Sequence, residues 1–379
     1  MARIEIREHR PGRDLDAFIQ VAYRVFNGDA AWVPPLEFEL RRRLSPGANP
    51  FFDQGEVALF TAWKNGEVVG RISAQLDHVH LAKFQDRVGF FGFFDTIDDD
   101  EVGHALLNKA EEWLRSRGMK KMRGPLSFHI YEEAGLLVEG YEHPPQILMA
   151  HSRPWQKRIL EGAGFSKARD LFAWRFEVGK VPGRAEKAWE EIRQMPEVRF
   201  RTVNRLRLRE ELQAIIEVFN DAWEGNWGHR PASDKEVEKI GRDLLPILDP
   251  ELSFIAEIDG KPMGICICLP NLNEVIRDFQ GRLGPVEIAK LIWRLKIRRP
   301  QSGRLMMLGI RKELRHVKRY GGLSHAIYVE LAKRGERLGY KWGELSWTLE
   351  DNHPINAGIR SMGAKLYKKY RIYERSIDA

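Results

Sequence analysis

The chain has 379 residues, 43% hydrophobic and 30% charged, with a formal net charge of +7. This is an ordinary globular composition, which excludes collagen-like, low-complexity and disordered classes; the length suits two domains or one large one. No uncharged apolar run approaches the roughly 18 residues that span a bilayer. The start, MARIEIREHR, alternates apolar and charged residues and lacks a signal-peptide core, so the expectation is a protein made and kept in the cytosol. The positive excess suits an anion such as nucleic acid, acidic lipid headgroups or a phosphate-bearing cofactor. No zinc-finger spacing or aromatic RNA-binding run accompanies it, and no nucleic-acid partner is expected.

In chain order, IEIREHRP reads as an opening strand and the RRR run at 41–43 as the solvated face of a helix. FTAWKNGEVVGRIS, from Phe60, reads as strand, tight turn, strand, with Asn65-Gly66 as the dipeptide that accepts positive φ angles. His78 and His80 are read as pointing the same way from a strand; with two cysteines and scattered histidines there is no zinc spacing, and no metal is expected. GFFGFFDTIDDDEVGHALL runs from a strand into a helix whose start carries Asp95, Asp98, Asp99, Asp100 and Glu101. The helix from Gly103 ends in glycine and feeds a strand. A segment around 129–152, rich in Leu, Ile, Tyr and Pro beside acids and histidines, precedes the last helix of this half. VGKVPGRAEK, at 178–187, is rich in Gly, Pro and Lys and reads as a domain boundary.

The second half repeats the first. VRFRTVNR mirrors the opening strand. FIAEIDGKPMGICI, from Phe254, matches the first hairpin: Phe60, Ala62, Gly66 and Gly70 pair with Phe254, Ala256, Gly260 and Gly264. Cys266 and Cys268 are then buried strand residues, badly placed for a disulfide with each other. SHAIYVELAKRGERLGYKW, from Ser324, matches the helix from Gly103, and Gly363 matches Gly164. An insertion at 271–305 contains GPVEIAKLIWRLKIRRP (284–300), a helix with Ile288, Leu291, Ile292 and Leu295 on one side. Lys290, Arg294, Lys296, Arg298 and Arg299 make it basic, with Trp293 among them. Packing on its own domain and lying on an anionic membrane surface both suit it. The expectation is an α/β protein of two domains, 1–180 and 188–379, each a mixed sheet flanked by helices.

This order of elements resembles the GNAT acyltransferase fold, used in tandem over essentially the whole chain, which implies a mixed, mostly antiparallel central sheet in each domain. The family motif [Arg/Gln]-x-x-Gly-x-[Gly/Ala] is met in the second half by Arg319, Gly322 and Ser324, with serine as the final small residue. Amides at a helix start suit a pyrophosphate, glycines allow close approach, and Arg315, Lys318 and Arg319 add charge. The resemblance thus implies acyl-CoA bound by Arg315, Lys318, Arg319, Gly321, Gly322, Leu323 and Ser324, with Asn352 after the fifth strand. It also implies a backbone amide among Leu308, Gly309 and Ile310 facing the thioester oxygen. The acids at 95–101 would repel a phosphate, so the first domain is expected to have lost cofactor binding and to contribute to the substrate pocket. The family's tyrosine falls at Ile359, and Tyr367, Tyr370 and Tyr373 lie beyond it.

AWVPPL, NPFF, VGFFGFF, EEAGLLVEGYEHPP, GFSKARDL, SWTLEDN and KKYRIYE are similar to a bacterial tandem-GNAT subfamily that includes the bacterial ceramide synthases. That resemblance implies transfer of a long-chain acyl group from acyl-CoA to the amine of a sphingoid-type lipid. A short-chain acetyltransferase on a soluble amine or protein, and a non-catalytic acyl-CoA-binding or membrane-associated sensor, are the alternatives. The attacking amine needs a base. Glu133 is the expected base, with Glu132 and His129 as neighbours and an apolar wall raising its pKa; Glu350 with Asp351 is the rival pair and His151 a third choice. There is no GxSxG elbow and no Cys/His nucleophile pattern.

Overall fold

The computed structural model describes residues 3–378, apart from the side chain of Asp234. The chain forms two compact units. Unit 1 is Met1–Leu171, Ile276–Glu287 and Lys368–Ala379; unit 2 is Phe172–Val275 and Ile288–Tyr367. The first holds β1 (Ile4–His9), α1 (Asp16–Val25), α2 (Glu37–Arg43), β2 (Gly55–Lys64), β3 (Glu67–Asp77), α3 (His78–Phe84), β4 (Val88–Thr96) and α4 (Asp100–Arg115). It continues with β5 (Lys121–Gly124), β6 (Leu126–Ser127), β7 (Glu133–Ala134), β8 (Leu136–Glu139) and α5 (Pro154–Gly162); β9 (Ser166–Glu177) runs on into the second unit. Unit 2 adds α6 (Gly183–Arg193), β10 (Val198–Thr202), α7 (Leu208–Trp223), α8 (Asp234–Leu244), β11 (Phe254–Ile258), β12 (Lys261–Pro270) and α9 (Leu272–Ile276). Then follow α10 (Pro285–Trp293), whose first three residues count with unit 1, β13 (Ser302–Ile310), α11 (Leu323–Arg337), β14 (Trp342–Leu349), α12 (His353–Ser361) and β15 (Lys365–Ser376), which from Lys368 on belongs to unit 1.

The same path is traced twice. In unit 1, β1, β2, β3 and β4 pair antiparallel in sequence, and after α4 the chain returns as β5, parallel to β4. In unit 2, β10, β11, β12 and β13 do the same, and after α11 the chain returns as β14, parallel to β13. Each sheet is therefore mixed and mostly antiparallel, with helices packed on it.

Both hairpins turn as the dipeptides require. Asn65 and Gly66 have φ of 55° and 80°, and Asp259 and Gly260 of 50° and 74°, the left-handed pair of a two-residue hairpin. Gly70 and Gly264 are repeated for a packing reason. A Cβ on Gly70 would lie 2.7 Å from Leu106 of α4, and one on Gly264 would lie 3.1 Å from Ile327 of α11. These are the points where each helix crosses its sheet. The apolar stripe of α4 (Val102, Leu106, Ala110, Leu114) covers Phe60, Ala62 and Ile72, and that of α11 (Leu323, Ala326, Ile327) covers Phe254, Ala256 and Cys266.

Two segments depart from a contiguous division of the chain. Residues 368–376 pair with β5 (Tyr373↔Gly124) and with β8 (Tyr370↔Leu137), so the C-terminal strand completes the sheet of unit 1. Residues 276–287 lie on α1 and α2: the amide of Glu37 donates to Gly281 O at 2.9 Å, and Tyr23 Oη to Gln280 O at 3.3 Å. His78 and His80 stand on the short helix α3 rather than on a strand, because Asp77 accepts from the amides of Val79 and His80 and caps a helix there. His80 bonds Asp86 at 3.1 Å, and burial pushes its pKa below the usual value. Cys266 and Cys268 are free and buried on β12, and burial pushes the Cys268 thiol up to about 12.

Candidate active site

The corner after β13 brings most of the expected cofactor residues together. The β13–β14 ladder registers only Ser302–Leu305 against Trp342–Leu345. Beyond it the strands part, and the edge of β13 that carries Leu308, Gly309 and Ile310 has no ladder partner on that side among the described residues. Gly309 lies under the Trp223 ring, where a Cβ would come within 2.3 Å. The loop then turns through Arg315, Lys318 and Arg319, all exposed, into α11. Gly322 is the N-cap of α11, and no side chain caps the helix. Its first amides thus have neither an intrahelical partner nor a capping oxygen. A Cβ on Gly322 would press on Ala188 of α6 at 3.3 Å, so the helix start is held close against a neighbour.

Arg319 Nε donates to Glu197 at 2.9 Å, and Tyr320 Oη bonds the same carboxylate at 3.3 Å. The Glu197 backbone amide, with Arg319, holds that carboxyl below its ordinary value. Arg315 donates to Ala222 O at 2.6 Å. Gly321 is exposed, and Leu323 and Ser324 form the first turn of α11. Asn352 caps α12, accepting from the Ile355 amide at 3.4 Å. Glu350, half-buried, and Asp351, exposed, follow the end of β14.

The equivalent corner of unit 1 is closed. The β4–β5 ladder also stops early, at Val88–Phe90 against Lys121–Arg123. Here residues 126–128 occupy the widening gap. Gln75 donates to Leu126 O at 2.5 Å and Phe128 O at 3.1 Å, and the Phe93 amide donates to Ser127 Oγ at 3.1 Å. A Cβ on Gly92 would sit 2.0 Å from Leu126 O, so the backbones touch. The helix start is closed too: Asp99 caps α4 by accepting from the amides of Glu101 and Val102 at 3.0 and 3.2 Å, and takes Lys64 at 2.6 Å. The remaining acids do not ring a phosphate seat. Asp95 is buried against Arg71 at 2.8 Å, and Asp98 and Asp100 pair with Arg158 on the surface.

Glu133, Glu132 and His129 do come together, but around a cation. Arg43 donates to Glu132 at 3.0 Å, to Glu133 at 2.9 Å and to Ser127 O. Glu132 also accepts from the Phe128 amide at 2.8 Å, and its other oxygen is 3.9 Å from Nε2 of the buried His129. Burial opposes the Arg43 charge, but Glu133 and Glu132 outweigh it and raise its pKa. Glu133 therefore faces a guanidinium rather than the expected apolar wall; the apolar groups there, Phe51, Phe93 and Phe128, pack around Arg43, His129 and each other. The RRR run is correspondingly two surface residues and one inward one. Arg41 and Arg42 pair with Asp16 and Glu39 on the surface, whereas Arg43 follows Leu36 and Leu40 on the buried side of α2.

His151 belongs to a separate cluster. Its Nε2 is 3.0 Å from Asp29, which also takes Arg153 at 2.8 Å and the Ala31 amide at 2.9 Å. Burial pushes His151 below its usual pKa, while for Asp29 the bonds from His151, Arg153 and Ala31 outweigh burial and hold the carboxyl low. With Nε2 donating, Nδ1 is the lone-pair nitrogen, and it is buried without a hydrogen-bond partner.

Unit 2 contains a polar group that the sequence reading missed. Glu344 on β14 is wholly buried and accepts from Ser346 Oγ and Tyr367 Oη, while Arg304, its register partner on β13, donates to Ser346 Oγ at 3.0 Å. Thr348 continues the row, bonding Asn356 at 2.7 Å and Trp174 at 3.0 Å. The alternation Glu344, Ser346, Thr348 in GELSWTL was the available signal. Ile359, at the family's tyrosine position, is buried on α12. Among the described residues, no group of three or more His, Cys, Asp or Glu is gathered as a metal site.

The architecture is similar to solved GNAT structures, a tandem one among them. A tandem GNAT protein from the clavulanic acid biosynthesis pathway matches with a TM-score of 0.59 and 11% identity, over 100% of this chain and 99% of that one. A GCN5-related N-acetyltransferase from Sphaerobacter thermophilus matches at 0.55 and 14%, over 99% and 96%. These likenesses define the class, the tandem GNAT fold. The sequence narrows it: the chain is 37% identical over 367 residues to the bacterial ceramide synthase of Caulobacter vibrioides, covering 96% of this chain and 95% of that one. It is 38% identical over 368 residues to protein YghO of Escherichia coli, covering 96% and 93%. No family model matches. The chain belongs to the bacterial tandem-GNAT acyltransferases that include the bacterial ceramide synthase, and it is an acyl-CoA-dependent N-acyltransferase.

Proposed function

We propose that the protein transfers a long-chain acyl group from acyl-CoA to the amine of a sphingoid-type lipid, with the coenzyme held by unit 2. The carrying observation is the uncapped start of α11 beside the parted β13 and β14. Free amides at the positive end of a fifteen-residue helix suit a pyrophosphate. Gly321, Gly322, Leu323 and Ser324 would supply that cradle, and Arg315, Lys318 and Arg319 its positive field. An amide among Leu308, Gly309 and Ile310 is the donor for the thioester oxygen, and Asn352 caps α12 just after the end of β14. The lipid part of the reading follows the Caulobacter relative's name, bacterial ceramide synthase.

The attacking amine must lose a proton. We assign that role to Glu133, which is 35% exposed against 16% for Glu132 and engages Arg43 through Oε1. Glu132 and His129 then position it, and Glu350 and His151 are the alternatives to be separated by substitution. Helix α10 supports a place on an anionic membrane. None of its residues is buried; Val286, Ile288, Ile292 and Trp293 are exposed, as is Ile297 in the π-helical turn that follows. Lys290, Lys296 and Arg298 stand among them. No described helix is long and apolar enough to cross a membrane.

The test is release of free CoA from acetyl-CoA and from palmitoyl-CoA, each with and without sphinganine. The proposal expects release that needs both palmitoyl-CoA and sphinganine. Release from acetyl-CoA alone would remove the lipid reading, and no release with any amine would leave a binder.

A further inference from the structure

Unit 2 contains an apolar cavity whose place relative to the parted strands gives it a use. Its floor is the face of β13 and β14 turned toward α11. Alternation puts residues 303 and 305 of one strand, and 343 and 345 of the other, on a single face. Leu305 and Leu345 are buried there, whereas Gly303 and Gly343, which face each other in register, carry no side chain. The roof is α11, where Ala332 and Gly335 are again small. The space left is about 50 Å³, on a scale where one water takes roughly 10–15 Å³, so it holds several carbon-sized groups. Its one charged neighbour, Glu344, is occupied by Ser346 and Tyr367. Burial raises the thiol of Cys268 and the hydroxyls of Tyr328 and Tyr340 on its walls, as in a dry environment.

The direction of the strands links this space to the reaction. The start of α11 follows the C-terminal end of β13. A thioester carrier seated at that helix start, if its arm lies along the open edge of β13 next to Leu308–Ile310, points toward the N-terminal end of that strand. The strands rejoin at Leu305 and Leu345, and the two glycines lie just past that closure. From Gly309 to Gly303 is about 20 Å at a strand rise of ~3.3 Å per residue. That is the reach of a long saturated acyl chain.

We propose that this cavity receives the distal carbons of the acyl chain and thereby sets the chain length the protein accepts. The inference rests on the acyl-CoA reading above. It is tested by calorimetric titration of the full chain with CoA and with palmitoyl-CoA below its micellar concentration. The wild type is compared with Gly343→Leu, which fills the cavity from the floor, and Ala332→Leu, which fills it from the roof. A Cβ at Gly343 has its nearest contact, Gly303 O, at 3.6 Å, so the first carbon of the new side chain is accommodated. The expected result is at least tenfold tighter binding of palmitoyl-CoA than of CoA by the wild type. Both fillings should shrink that ratio to about one to two while leaving CoA affinity in place, which also reports that the variants are folded. A ratio near one in the wild type, or a large ratio unchanged in the folded variants, would overturn the chain pocket while sparing the coenzyme site. Failure of CoA itself to bind the wild type would overturn both, and is distinguished by that first titration.

Discussion

The corner between the fourth strand and the following helix of each unit is built twice, and the two copies end differently. At α11 the helix starts on glycine, no side chain caps it, and β13 and β14 part after Leu305. At α4 the same start is capped by Asp99, and 126–128 lie in the gap beyond Phe90. The lesson is physical. A helix start can satisfy its amides with its own carboxylate or leave them without a side-chain cap, and beyond the end of a ladder the chain can fill the gap or leave the strand edge without a ladder partner. One half has taken the first course at both points and the other half the second. Closure in unit 1 also brings Arg43, Glu132 and Glu133 together, because 126–133 turn back over the filled gap.

That contrast can be broken at four points. The largest effect is expected at Arg43. Arg43→Leu leaves Glu132 and Glu133 partly buried without their cation, and breaking such a pair costs about 3–5 kcal/mol. Urea unfolding should show a loss of that order, largely recovered when both glutamates are changed to glutamine in the same chain. Next is the open corner. Arg319→Glu puts an anion at the start of α11 and should weaken CoA binding roughly 10–100-fold, by turning an attraction for the pyrophosphate into a repulsion. Unchanged affinity by calorimetry would move the coenzyme elsewhere. Third, Asp99→Ala uncaps α4 and should cost about 1 kcal/mol. It should create no second CoA site, since 126–128 still fill the gap.

The smallest effect is a pH slope. Burial lowers the pKa of His151 in the folded state, so the unfolded chain binds the proton first as pH falls. Stability from this group is full above the unfolded value of about 6.5 and declines below it. His151→Phe should flatten that decline without abolishing it, because buried His80 is lowered in the same way. A slope identical to the wild type would mean that His151 is not buried neutral.

Much of this was legible in the residues. Asn65-Gly66 and Asp259-Gly260 announced both hairpins, and the matched spacing from Phe60 and Phe254 announced the repeat, because turn chemistry and helix crossings tolerate few residue types. Arg319, Gly322 and Ser324 announced the open corner. What escaped reading depended on long-range packing. Nothing local in KKYRIYE says that residues 368–376 complete the first sheet. Arg43 was hidden in a run of like charges, although its spacing from Leu36 and Leu40 put it on the buried side of α2. Glu344 was hidden because its partners Arg304 and Tyr367 are distant in sequence. The acids at 95–101 form one run in the sequence, yet Asp99 caps a helix, Asp95 is buried against Arg71, and Asp98 and Asp100 pair with Arg158 on the surface.

The most direct measurement is the number of CoA molecules bound per chain, by titration calorimetry of the wild type, Arg319→Glu and Asp99→Ala. The two unlike corners predict one molecule per chain in the wild type and in Asp99→Ala, and greatly weakened binding in Arg319→Glu. Two molecules per chain, or one that survives Arg319→Glu at full affinity, would contradict the assignment of the coenzyme to the start of α11.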